Sequence, residues 1–147
     1  MIEDWIDELT KVWEIDDGRG GTVRSYRLFE RDEMPDDIPL ERPVALTFFD
    51  ELEADYSLSV AIGIYTGTTE FNLTPDLNRR RIPAVLKFVG KILRAAAARM
   101  TLGGRVNYFV VTKIGLTALR YGNEAPHLGL EVTWMVKEDF ENLAVSQ

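Results

Sequence analysis

The chain has 147 residues, a formal net charge of −7, one histidine and no cysteine; 46% of its residues are hydrophobic and 28% charged. This length suits one domain, 1–147, with a single core, and the composition excludes wholesale disorder. Without cysteine there is no disulfide, thiolate nucleophile or cysteine-ligated zinc. No apolar run nears the ~20 residues that cross a bilayer, and the start "MIEDWIDELTK" is acidic where a secretion signal is basic, so a soluble, intracellular protein is expected.

Ile2, Trp5, Ile6, Leu9, Val12 and Trp13 recur at helical spacing, which predicts an amphipathic helix over 2–15. Glu3, Asp4, Asp7 and Glu8 suit the positive N-terminal end of its dipole. "DDGRGG" (16–21) ends it with glycines able to take left-handed backbone angles. Residues 22–31 are strand-like with imperfect alternation. "DEMPDDIPLERP" (32–43) carries three prolines and five acids and reads as an exposed acidic loop or arm. "VALTFF" (44–49) is a strand, and "DELEAD" (50–55) reads as an acidic turn. In "YSLSVAIGIYTG", Tyr56, Leu58, Val60, Ile62 and Ile64 alternate with Ser57, Ser59, Ala61 and Gly63. The second of these faces is small and uncharged, so something must approach it closely. Thr68–Leu73 reads as a further short strand.

A long central helix follows, within 77–100. Ile82, Val85, Leu86, Val89, Ile92, Leu93, Ala96 and Met100 form a broad apolar stripe, with Pro83 in the first turn. Lys87, Lys91 and Arg94 share another surface. "LGG" (102–104) stops this helix. Strands are expected at 105–111, more weakly at 115–122, and at 128–137, where Leu128, Leu130, Val132, Trp134 and Val136 alternate with Glu131, Thr133 and Lys137. Residues 139–147 read as a loose tail. The expected fold is α+β: a mainly antiparallel β-sheet with the N-terminal helix and the long central helix packed on one face.

Charge is unevenly partitioned. Leu77–Asn123 holds ten Lys/Arg and no acid, leaving seven of the 17 basic residues beside all 24 acidic ones. The two blocks must meet either within one fold or between copies.

Evidence for chemistry is thin. His127, alone and after a proline, reads as an exposed turn residue at a strand entrance. The acidic clusters lack the spaced ligands and glycine of a calcium loop, so no metal or cofactor is expected. "GRGG" follows no strand and precedes no Lys-Ser/Thr pair, so it is not a phosphate-binding loop, and no nucleophile motif occurs. Direct nucleic-acid binding through the basic segment conflicts with an acidic chain that repels phosphates from most directions. No enzyme activity is expected. A protein partner, including another copy, fits the separated charges better.

From "PDLNRRRIPAVLKFVGKILRAAAARMTLGG" through "RVNYFVV" and "RYG" to "LGLEVTWMVKE", the chain resembles the tail-terminator or tail-completion proteins of long-tailed bacteriophages. The N-terminal helix and "SLSVAIGIYTG...EFNL" fit the same order, so the likeness, one of layout, covers most of 1–138. It implies a non-enzymatic structural subunit of the virion, made in the host cytoplasm, that closes a ring, usually a hexamer. The ring caps the tail tube, joins it to head-connector proteins and passes DNA without recognising its sequence. Under this reading Arg79, Arg80, Arg81, Lys87, Lys91 and Arg94 are subunit-interface residues. Asp32, Glu33, Asp36, Asp37, Asp50, Glu51, Glu53 and Asp55 are acidic residues of the lumen or the tube-facing surface. The alternative is an acidic, dimeric secretion chaperone of a bacterial injection system, which shares the size, charge and element order. Against it, a helix bearing Lys87, Lys91 and Arg94 is a poor seat for an apolar client.

Overall fold

Trp5, Ile6, Leu9 and Val12 are all buried, as their spacing requires, on helix α1 (Ile2–Val12), and Trp13, in the turn directly after it, is buried with them. The computed structural model describes residues 2–18, 20–27, 43–55, 62–72, 82–119 and 127–139. Expectations for 28–42, including the arm with Asp32, Glu33, Asp36 and Asp37, fall outside these residues, as do those for 56–61, for Arg79–Arg81 and for the tail from 140. After α1 come β1 (Arg24–Arg27), β2 (Val44–Asp55), β3 (Ile62–Asn72), α2 (Ile82–Ala97), β4 (Tyr108–Leu119) and β5 (His127–Asp139). The strands form one sheet in the order β1-β2-β3-β5-β4. β1 runs parallel to β2, and the other three pairings are antiparallel, so the fold is α+β with a mixed five-stranded sheet and two helices.

Several expected boundaries move. "DELEAD" is not a turn: it continues β2 along β3 to the Asp55–Ile62 pair, after a bulge between Phe49 and Glu51. The extra residue of a bulge lets a strand absorb Asp50 without reversing direction. The strands expected before Gly67 and from Thr68 are one strand, β3. Likewise "RVNYFVV" and "GLTALRYG" meet in β4, whose broken alternation is a bulge between Val111 and Lys113. α1 ends at Val12, short of residue 15. α2 ends at Ala97, and turns carry the chain on through Leu102, Gly103 and Gly104, all with positive φ. Leu102 holds this left-handed backbone because its side chain is fully buried.

The alternation of β5 holds: Leu130, Val132, Trp134 and Val136 are buried beneath the helices. Of the two faces of β3, it is the small one that turns to the core. Its core-facing side carries Gly63, Tyr65, Gly67, Thr69 and Phe71, while Ile62 and Ile64 are only half-buried on the opposite side. The small face is under the helices because large rings fill the space it leaves. A Cβ at Gly67 would overlap the Trp134 indole, and Trp5 stacks edge-on to both Tyr65 and Trp134, at 5.0 and 6.3 Å. Trp13 sits edge-on to Phe71 and Phe109, linking α1 to β3 and β4. Each such pair adds about 0.5–1.5 kcal/mol beyond the area it buries.

Polar groups inside the core are tied to one another. Trp134 Nε1 donates to Thr69 Oγ1 at 3.1 Å, and Thr69 shares a hydrogen with Thr47 Oγ1 at 3.0 Å. Val44, Leu46 and Phe48 project from the other face of β2 and are buried too, so this corner of the sheet is covered on both sides.

Candidate functional site

Three of the six proposed interface cations lie among the described residues, all on α2, and they are not equivalent. Lys91 is turned inward on its own chain: Nζ lies 3.3 Å from Asp16 Oδ2 and 3.5 Å from the Asp16 carbonyl oxygen. The Gly18 N–H, at 2.9 Å, and then Lys91 hold the Asp16 carboxyl below the usual carboxylate range. This pins the turn after α1 to α2. Arg99, beyond the end of α2, reaches Glu8 of α1 at 3.8 Å. Part of the positive block therefore meets acids within one fold.

The rest does not. Lys87, Arg94, Arg105 and Lys113 are exposed, and none has a hydrogen bond or ion pair among the described residues. The first two lie on α2 and Lys113 on β4, with Arg105 in the turns between these elements. Arg94 folds back so that its guanidinium covers Gly90, where the absence of a side chain leaves it room. Lys137, on β5 beside β4, lies 5.7 Å from the centre of the Tyr108 ring and adds a further cation to this end of the sheet.

The acidic residues of 50–55 stand on a strand and not on a loop. Asp50 accepts a 2.6 Å hydrogen bond from Thr68 Oγ1 and is occupied within the chain. Glu51 and Glu53 are exposed and have no such partner among the described residues. Asp55 closes the strand, paired in register with Ile62. β3 and β5 separate β2 from β4. Three strand spacings amount to about 14 Å. Glu51 and Glu53 are thus held well beyond ion-pair reach of Lys113 on the same molecule.

Beside the cations lies apolar surface that the helical stripe foretold without showing it would be uncovered. α2 buries Val85, Phe88, Ile92 and Ala96 but leaves Leu86 and Leu93 62% and 48% exposed, and Met100, in the turn beyond its end, is 52% exposed. Between this flank and Phe109 and Val111 of β4 runs a groove of about 210 Å³. Leu116, which faces the helix side of β4, is 63% exposed.

One buried polar group outside the proposed site was not anticipated. Glu138 accepts from Trp5 Nε1 and from the Tyr65 hydroxyl. The signal was present: Glu138 continues the inward parity of Leu130–Val136. His127 opens β5, paired in register with Leu119. Among the described residues no group of His, Asp and Glu is arranged to hold a metal ion, and no helix is long and apolar enough to cross a membrane. No protein-family model matches the chain, and no curated protein matches it.

Proposed function

We propose that the protein is a structural subunit that joins copies of itself head to tail into a closed ring. In this reading it is a non-enzymatic tail terminator or tail-completion protein that caps a phage tail tube and meets the head connector. The observation that carries the proposal is the placement, at opposite sides of one sheet, of charges with no ion-pair partner among the described residues: Arg94, Arg105 and Lys113 by β4, and Glu51 and Glu53 on β2. Charges that cannot meet within a molecule favour a contact between two different surfaces of successive copies, and such a heterologous contact repeats until a ring closes. The acidic strand end takes part in the joint, so a lumen lined with acids would draw on the 32–41 segment instead.

Electron microscopy and sedimentation of the concentrated full chain test the reading. Closed rings of fixed subunit number support it. The exposed apolar flank of α2 favours a second reading, the client-holding secretion chaperone. A concentration-independent dimer that retains unfolded polypeptide would replace the first reading with that one.

A further inference from the structure

α2 carries more apolar surface than the sheet beneath it covers. β4 ends the sheet, and no strand pairs with its outer side among the described residues. Yet Leu93 of α2 and Met100 of the turn after it line the groove on that side, Leu86 stands exposed two helical turns before Leu93, and Leu116 points to the helix layer from β4 itself. Single exposed leucines are ordinary, whereas a contiguous strip beside a free edge marks a surface that is covered in use.

The same chain offers a strand for that cover. In β2, Leu52 faces the helix side, in register with Tyr65, and is 46% exposed; Glu51 and Glu53 flank it and face the other way. β1 pairs with β2 only as far as Thr47, so among the described residues nothing covers the outer side of the strand beyond that point. β4 presents the complementary pattern: the apolar groove on its helix side, and Lys113 on the opposite face, which Lys137 of β5 shares further along, beside Tyr108. β2 and β4 run in opposite directions, so copies set side by side would bring them together antiparallel.

We infer that β2 of a second copy adds to the free edge of β4, placing Leu52 beneath Leu93 and Met100 and Glu51 and Glu53 on the face that carries Lys113. The inference rests on the ring reading and names its joint. Backbone hydrogen bonds along the edge supply affinity, and the alternation Glu-Leu-Glu supplies selectivity. The bulge after Val111 and the Lys113 side chain discourage indiscriminate edge pairing, so an acidic strand is the one this edge accepts.

Because the chain has no cysteine, single introduced cysteines report the contact cleanly. Glu51→Cys and Glu53→Cys chains are each mixed with a Lys113→Cys chain, concentrated, oxidised mildly and sized. All three positions are exposed, and circular dichroism checks that each variant folds. The expected product is a mixed disulfide within rings for at least one pairing and none for a Glu14→Cys control. Glu51→Lys with Glu53→Lys should weaken association about tenfold or more, and a Lys113→Glu partner should restore part of it. Rings without either mixed disulfide would overturn the strand-addition joint while leaving ring assembly standing. Chains that stay monomeric at every concentration would overturn both.

Discussion

The indole Nε1 of Trp5 donates to Glu138 Oε2 at 3.2 Å, joining the first turns of the N-terminal helix to the last strand across 133 positions of chain. Both groups are buried, and the Tyr65 hydroxyl bonds to the same carboxylate. A carboxylate taken out of water this far is tolerable only with donors aimed at it. Glu138→Ala leaves the Trp5 N–H and the Tyr65 hydroxyl facing a void, and should cost about 1–3 kcal/mol. Glu138→Gln, which keeps an acceptor, should cost less. Urea denaturation of the two variants checks the order; equal losses would mean that the hydrogen bonds contribute little.

Tyr65 makes the fold sensitive to alkali. Burial first, and then the negative charge of Glu138, push its hydroxyl well above the ordinary tyrosine value. The folded state therefore favours the protonated phenol. The associated stability is fully present below pH ~10, the unfolded value, and declines as pH rises from there toward the folded value. Ultraviolet titration should show one of the five tyrosines ionising late and together with unfolding. In Tyr65→Phe that coupled phase should disappear.

Gly67 exists to admit a ring. With the Trp134 indole and the Phe48 carbonyl already occupying the place of its Cβ, Gly67→Ala must displace both. The expected loss is about 1–3 kcal/mol. Trp134→Leu loses ring packing and the hydrogen bond to Thr69, but it relieves the overlap, so the double variant should lose less than the two single losses together. Additive losses measured in chemical denaturation would show that the glycine is not coupled to the indole.

The two kinds of cation on α2 should separate cleanly in mutagenesis. Lys87→Glu with Arg94→Glu removes charges that make no hydrogen bond or ion pair among the described residues, Lys87 acting on Asp16 only at longer range, so the melting temperature should fall little while association weakens. Lys91→Ala frees Asp16 and loosens the turn onto α2, with little effect on assembly. Because exposed charges are screened by salt, raising ionic strength should mimic the first variant and not the second. Sedimentation in low and high salt checks both.

The parts of the fold legible from sequence were those with one buried side. α1 and β5 show it: every residue at the helical spacing 5, 6, 9, 12, 13 and at the strand positions 130, 132, 134, 136 is in the core. β3 left its inward side open because one face is apolar and the other small and uncharged, and the choice between them lay elsewhere in the chain. The rings of Trp5 and Trp134 select the glycine side, and periodicity within one strand carries no trace of that. "DELEAD" did mislead. Four charged positions in six read as a turn, yet a strand lacking an outer neighbour can leave its glutamates in water. For the candidate site, the charge partition was visible at once, whereas the internal use of Lys91 and Arg99 was not. Asp16 and Glu8 are brought to them only by the packing of α1 against α2.

The central claim is that copies of this chain recognise one another through oppositely charged ends of the same sheet. Sedimentation velocity over a wide range of concentration, on the wild-type chain and on the chain carrying Lys87→Glu and Arg94→Glu, tests it most directly. The account predicts that the wild type passes cooperatively from monomer to a closed species of single mass, and that the variant remains monomeric under the same conditions. A wild type that never exceeds the monomer, or a variant that assembles as the wild type does, would contradict it.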